Sequence, residues 1–347
     1  MAKPVSGTAS EEADAKARRA KGEFVRGVSQ FRNMLGEDPF PAEPHRYHLF
    51  VALNCPWCHR VTLARSMLGL GDTVTMDIAF PNRTGEDDPA GPNLWEFNPQ
   101  HEATLTGAPL PECTAETATG ENYRLAKQIY EAEGSDEKSL PILYDKRSKR
   151  IVSNESAEII RMLNAQAEAL GSTLSGDERP DLYPSGEEDA DLRSEIDELN
   201  AFVYDTINNG AYKAGFSSGQ EAYAKAFENY FKAFDALEGR LADGRPFLTG
   251  PRFTEADLRL FPTLYRHDPV YYVRMKLNGA RILDYPHLWR WLCRVHAMPG
   301  VAASGSLIHC RQGYFGRSWN NVVPLGPLHP MTYPEAYAHP ELADARG

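Results

Sequence analysis

The sequence predicts two domains in series, an α/β domain in the first half of the chain and an all-helical domain in the second. Three observations predict it. Up to about residue 165, runs of β-forming residues alternate with stretches of helical period. Beyond residue 188 the period is helical almost throughout. Between them, over 166–188, lies "EALGSTLSGDERPDLYPSGEEDA", whose Gly, Pro, Ser and acidic residues mark a linker. A chain of 347 residues is long enough for two such cores.

Each element has its own signal. "RYHLFVAL", 46–53, is short and rich in β-formers, a strand. It runs into Asn54-Cys55-Pro56, after which Trp57, Val61, Ala64 and Leu68 recur on one helical face. Pro56 suits the first helical position, which leaves Cys55 as the N-cap. "DTVTMDIAF", 72–80, reads as a second strand. From Pro81 to about Thr119 the chain is loop-like, interrupted by "NLWEF". "YRLAKQIYEAEG" is a helix ending at Gly134, and "LPILYDKRSKRIVS" a hairpin with a charged turn. "NESAEIIRMLNAQAEAL" is an amphipathic helix with polar caps at its start. Past the linker, helices are expected over 189–208, 219–242, 254–266 and 286–297, the third with a capping box of Thr254 and Asp257.

The order β-α-β, α, β-β-α is that of a thioredoxin-like domain with a cysteine at the end of its first strand. Followed by an all-α domain, it resembles the architecture of glutathione transferases. The expected divisions are an N-terminal arm over 1–40, a thioredoxin-like thiol-binding domain over 41–165, the linker over 166–188, an all-helical substrate domain over 189–312 and a C-terminal tail over 313–347. The mixed-charge stretch "ASEEADAKARRAKGEF" reads as a mobile part of the arm, and the aromatic, Pro- and Gly-rich tail as a surface wrap.

Composition narrows the function. A net charge of −11 without a dense basic stripe argues against nucleic acid. No apolar run approaches the roughly 20 residues of a membrane span. Five cysteines, at 55, 58, 113, 293 and 310, make no disulfide framework and point to a reducing, cytoplasmic setting. There a Cys-x-x-Cys such as Cys55 and Cys58 serves as a dithiol pair, a monothiol nucleophile or half of a metal site. The metal reading is weak, because only Cys55, Cys58 and His59 cluster and no second pair has zinc-site spacing. For a nucleophile the position is apt: N–H groups and the positive end of the dipole at a helix N-terminus stabilise a thiolate. His59 and Arg60 stand close enough in sequence to add positive charge.

Nine stretches, in this order, give the chain a resemblance: "GEFVRGVSQFRNML", "RYHLFVALNCPWCHR", "LPILYDK", "IVSNESAEIIRMLN", "LYP", "EIDELNAFVYDTINNGAYKAGF", "TEADLRLF", "DPVYYVRMKLN" and "DYPHLWRWL". Over roughly 22–300 the chain resembles the glutathionyl-hydroquinone reductases, the xi class of glutathione transferases. It departs from them at Cys58, where the family has a small residue, at Leu94, where a Gly precedes the tryptophan, and near "GYFGRSWNNVVPLGP", which lacks the Ser-His and Asn-Pro elements before it.

Taken alone, Glu155 and Ser156 are helix caps, Pro141 a strand-edge proline, Trp95 a packing residue, and Tyr212 and Tyr271 core tyrosines. The resemblance implies more for each. Cys55 would be the nucleophile. Glu155 and Ser156 would hold the γ-glutamyl end of glutathione, and a cis Leu140–Pro141 peptide would present the Leu140 backbone to its cysteinyl unit. Trp95 and Arg124 would be further glutathione contacts. Tyr212 and Tyr271, with Tyr272 as a neighbouring candidate, would meet the oxygens of an aromatic substrate. The expected activity is reduction of glutathionyl-hydroquinones to hydroquinones through a cysteine mixed disulfide, releasing oxidised glutathione. Glutathione is then a cosubstrate, with no metal and no nucleotide, and the partners are glutathione and a quinol conjugate, with a homodimer as the assembly. Two alternatives stand beside this: a glutaredoxin-like dithiol oxidoreductase or deglutathionylase using Cys55 and Cys58, and a non-catalytic ligand-binding or scaffold protein on the same fold.

Overall fold

The computed structural model describes residues 9–316 and 322–327. The chain separates into two compact units, one built on Val28–Arg179 and Ala303–Pro324, the other on Pro180–Ala302 together with the described residues 9–27. Where a mobile arm was expected, Ala9–Ala20 form a helix, α1, that belongs to the second unit. Arg18 and Glu23 pair at 2.8 Å just beyond it, and the Gly22 carbonyl accepts the Ser218 N–H.

The first unit centres on a four-stranded sheet. Its first two strands in sequence are β1 (Tyr47–Val51) and β2 (Thr75–Ile78), separated by helix α2 (Pro56–Met67). A two-residue ladder comes next, β3 (Glu102–Ala103) with β4 (Ala108–Pro109), then a short helix α3 (Ala126–Glu131). The hairpin β5 (Ile142–Asp145) and β6 (Arg150–Ser153) leads into helix α4 (Ser156–Ala165). The spatial order is β2-β1-β5-β6, with β1 and β2 parallel and the other pairs antiparallel. All five residues of β1 are buried, so its sequence reads as a continuous run rather than an alternation. Helix α3 is shorter than expected, and Gly134, at φ +74°, takes the left-handed turn beyond it.

The second unit is helical: α5 (Ala190–Val203), α6 (Asn209–Gly215), α7 (Gln220–Leu241), α8 (Glu255–Arg266), α9 (Tyr272–Arg274) and α10 (Pro286–Ala297). The capping box at α8 is present, and Asp257 does more than cap. Its carboxylate accepts the Thr254 N–H at 3.1 Å, the Leu248 N–H at 2.9 Å and the Trp291 Nε1–H at 2.8 Å. Burial pushes that carboxyl up to about 6 in spite of these donors. The expected single helix over 189–208 is interrupted, since Tyr204–Asn208 form a π turn before α6, and a second π turn, His267–Tyr271, comes after α8. A π turn adds a residue to the helical repeat and re-aims the side chains beyond it. The last helix among the described residues, α11 (Leu307–Phe315), belongs to the first unit; it carries His309 and Cys310, for which the sequence makes a helix plausible without fixing its bounds. Most of the expected tail lies outside the described residues.

Candidate active site

Cys55 is the N-cap of α2, with extended backbone (φ −81°, ψ 123°) and Pro56 at the first helical position. The chain must leave β1 and enter α2 within four residues, and a β-region cap followed by proline does this without conflict. The sulfur is nearly buried and lies 3.8 Å from the Leu140 carbonyl oxygen. The Leu140–Pro141 peptide is cis.

Electrostatics around this sulfur favour the thiolate. A hydrogen bond from the Cys58 thiol is the largest influence. Burial opposes it, while the Cys58 and Trp57 N–H groups and the positive Arg83 reinforce it. Together they bring Cys55 down to about 6. Cys113 and Cys293 behave oppositely, burial pushing each up to about 12, as expected of inert structural thiols. The thiolate should therefore show in a pH profile. Alkylation of Cys55 by iodoacetamide should rise through pH 6 and level off by neutrality. In Cys58→Ala, which loses the donor, the rise should move toward the ordinary thiol value of about 8.5. Superimposed profiles would remove Cys58 from this role.

The neighbours expected to supply positive charge are differently employed. His59 is buried, its Nε2 3.0 Å from Ser304 Oγ, and the Arg60 guanidinium lies over the Trp57 ring at 4.6 Å. Arg83, which sequence reasoning gave no role, stacks on the Trp95 ring at 4.3 Å. It lines a cleft of about 430 Å³ with Phe80, Asn82, Asp88, Glu96 and His101, within the size range of small-ligand sites. Trp95 itself is buried, and its carbonyl accepts the Ala126 N–H, fixing "NLWEF" beside the start of α3. Arg124 forks across Asp88 at 2.8 and 2.9 Å and reaches Glu96 at 3.1 Å. Its guanidinium is therefore held by two carboxylates on the rim of this cleft.

Glu155 and Ser156 lie where the capping reading puts them. Glu155 is the N-cap of α4, Oε1 accepting the Ala157 N–H at 3.0 Å and Oε2 the Ser29 hydroxyl at 2.9 Å. Ser156 opens the helix and is buried.

Behind the Cys55 turn stands α11. Cys310 Sγ lies 3.7 Å from the Leu53 carbonyl oxygen, and the Thr62 hydroxyl donates to the Ser304 carbonyl at 2.7 Å. The Gln312 amide donates to Asn82 at 2.6 Å while its backbone carbonyl accepts from the same asparagine. At Gly313 a Cβ would come within 2.2 Å of the Asn54 side chain, so glycine is what lets the helix approach. In the sequence His309 and Cys310 share a plausible helix, but the contacts themselves are tertiary.

In the helical unit Tyr212 lies on α6 and Tyr271 at the end of the second π turn, their rings edge-on at 6.4 Å. Tyr212 is half-buried and flanked by Phe24 at 6.0 Å and Phe216 at 5.6 Å, with the Arg26 guanidinium over its ring at 4.6 Å. Tyr271 is fully buried and Tyr272 half-buried. Arg26 is oriented by Asn209, whose side-chain oxygen accepts its Nε–H at 3.0 Å. Phe24 also lines a cleft of about 310 Å³ with Arg18, Asp205 and Lys213. The sequence offered "GEFVRG" as a motif but no reason to place Phe24 and Arg26 against a tyrosine far along the chain. Among the described residues no group of His, Cys, Asp or Glu has the arrangement of a metal site, and no helix is long and apolar enough to cross a membrane.

Comparison with known proteins agrees with this layout. Residues 54–166 match the family described as "Glutathione S-transferase, N-terminal domain", and residues 220–294 its C-terminal domain. The glutathionyl-hydroquinone reductase PcpF of Sphingobium chlorophenolicum is 38% identical over 317 residues, covering 89% of this chain and 91% of its own. The glutathionyl-hydroquinone reductase YqjG of Escherichia coli is 38% identical over 315 residues, 88% of each. Among solved structures, the xi glutathione S-transferase of Phanerochaete chrysosporium superposes with a TM-score of 0.76 at 35% identity, over 89% of this chain and 94% of that one. The glutathione-bound structure of the Escherichia coli YqjG gives 0.74 at 36% identity, over 89% and 97%.

Proposed function

The chain belongs to the glutathionyl-hydroquinone reductases, the xi class of the glutathione transferases, and on that premise we propose how its own residues carry out the family's reaction. It is an enzyme that reduces glutathionyl-hydroquinones with glutathione as cosubstrate. The observation that carries the residue assignment is the Cys55 sulfur, held as thiolate near neutral pH at the N-terminus of α2.

An aromatic C–S bond resists direct displacement. Phenols from Tyr212 and Tyr271 assist the quinol to its keto form, in which a proton has been added to the sulfur-bearing carbon. Cys55 thiolate then attacks the glutathionyl sulfur. A disulfide bond forms, the C–S bond breaks, and its electron pair returns the ring to aromatic hydroquinone, now with C–H in place of C–S. A second glutathione, as thiolate, attacks the Cys55 mixed disulfide, releasing oxidised glutathione and regenerating the Cys55 thiolate. Two glutathionyl sulfurs are thus oxidised as one ring carbon is reduced.

Glu155, Ser156 and the N-terminus of α4 take the charged γ-glutamyl end in this scheme, a role compatible with capping. The Leu140 backbone and Trp95 meet the rest of the peptide. Arg124, already bound by Asp88 and Glu96, fixes that wall of the cleft and offers its remaining N–H groups to the peptide. Replacing Glu155 or Ser156 by Ala should raise the KM for the thiol roughly 10- to 150-fold, the equivalent of a charge-assisted contact of about 1.5–3 kcal/mol. The response to the quinone part should change far less, because such a contact is made in ground and transition states alike. Steady-state kinetics varying each substrate decide the matter. An unchanged thiol KM in a folded double variant would reduce the pair to caps.

A homodimer belongs to the same reading, on the strength of the family resemblance, and light scattering measures it directly. The reducing compartment inferred from the cysteines is the setting such a thiolate requires.

A further inference from the structure

A second cysteine, at position 58, is unused by the cycle above, and its place is not arbitrary. Cys55 is the N-cap and Cys58 the third residue of α2, the two positions whose side chains meet in a capping box. Helix geometry separates such Cα atoms by about 5 Å, inside the span of about 4.4–6.8 Å that a disulfide bridges. Cys58 is fully buried and Cys55 9% exposed. An incoming thiol therefore meets Cys55 first, while Cys58 stands on its protein side. Of the remaining cysteines, Cys113 Sγ lies 4.0 Å from the Ala79 carbonyl oxygen, Cys310 Sγ 3.7 Å from the Leu53 carbonyl oxygen, and Cys293 lies on α10 of the helical unit.

We propose that Cys58 is a resolving thiol, giving this protein a dithiol exchange activity toward glutathionyl disulfides in addition to its reductase cycle. The proposal rests on Cys55 as the nucleophile. In the resolving step the Cys58 sulfur attacks Cys55 Sγ of the mixed disulfide. A Cys55–Cys58 disulfide forms, the bond to the glutathionyl sulfur breaks, and the Cys58 proton leaves with glutathione. Two further glutathione molecules return the pair to dithiol, with oxidised glutathione as the product. The step is intramolecular, so it proceeds when external thiol is scarce, the condition under which a monothiol enzyme would stall as its adduct. The same S–H that donates to the Cys55 thiolate in the resting protein is the one released.

The test uses the full-length reduced protein, one equivalent of oxidised glutathione, no other thiol, and intact-mass and peptide mass spectrometry. Wild type should lose the transient glutathione adduct and end as the Cys55–Cys58 disulfide. Cys58→Ser and Cys58→Ala should both retain the adduct on Cys55, and agreement between them excludes a folding defect of one variant. A wild-type adduct as long-lived as that of the variants overturns the resolving role and leaves Cys55 as nucleophile intact. Absence of any adduct or disulfide at Cys55 in all three proteins overturns the nucleophile assignment, and the resolving role with it.

Discussion

Cys55→Ser is expected to abolish glutathione-dependent turnover of a glutathionyl-hydroquinone, whereas Cys58→Ser should keep most of it. The asymmetry comes from position. A serine hydroxyl at the α2 N-cap receives the same N–H groups but is not ionised near neutral pH and forms no mixed disulfide, so nothing replaces the attacking sulfur. At position 58 a hydroxyl still donates a hydrogen bond to the Cys55 thiolate, preserving the largest influence on it. The cycle itself closes with a second glutathione when that thiol is plentiful. Initial rates for the two variants, with mass spectrometry for the glutathione adduct, give the answer. An active Cys55→Ser enzyme would remove Cys55 as the nucleophile, and a Cys58→Ser enzyme stalled as the mixed disulfide under excess glutathione would make the dithiol route obligatory.

Tyr212→Phe and Tyr271→Phe are expected to lower turnover of quinol conjugates by about 10²- to 10⁴-fold, the usual range for a lost acid–base group. Reduction of simple glutathione mixed disulfides should be spared, because those substrates need no ketonisation. The loss should be larger for Tyr212, which is half-buried on α6, than for Tyr271, which is fully buried with its ring 6.4 Å from that of Tyr212. Phenylalanine preserves both ring contacts, so the comparison isolates the hydroxyls. Equal loss of rate on both substrate classes would make the tyrosines structural and remove the ketonisation step from them.

The features legible in the sequence were local ones. Pro56 after Cys55, a β-rich run before it and an apolar period after it suffice to place a cysteine at a helix N-terminus, because each signal lies within one turn of the next. The capping at Glu155 and at Thr254–Asp257 was legible for the same reason. Interactions between distant segments were not. Arg83 matters through the Trp95 ring, 12 residues on, and through the Cys55 sulfur, and a loop of Pro, Gly and Asp gives no period from which to read either. His59 and Arg60 were credited with charge near the thiolate because they are adjacent in sequence; in the fold one is directed to Ser304 and the other to Trp57. The two π turns leave little trace in the sequence because a single added residue leaves the apolar period nearly unchanged, yet Tyr212 lies just beyond the first and Tyr271 ends the second. The mixed charge of α1 suggested a solvated arm, but the same pattern also suits the solvent face of a docked helix.

The central claim is that one sulfur, Cys55, takes glutathione from a quinol conjugate. It is tested most directly by mixing reduced enzyme with glutathionyl-menadiol and excess glutathione, and tracking quinol and oxidised glutathione together. The account predicts one free quinol and one oxidised glutathione for each conjugate consumed, with wild type active and Cys55→Ser silent. Binding of the conjugate without release of quinol, or the same product ratio from Cys55→Ser, would contradict it.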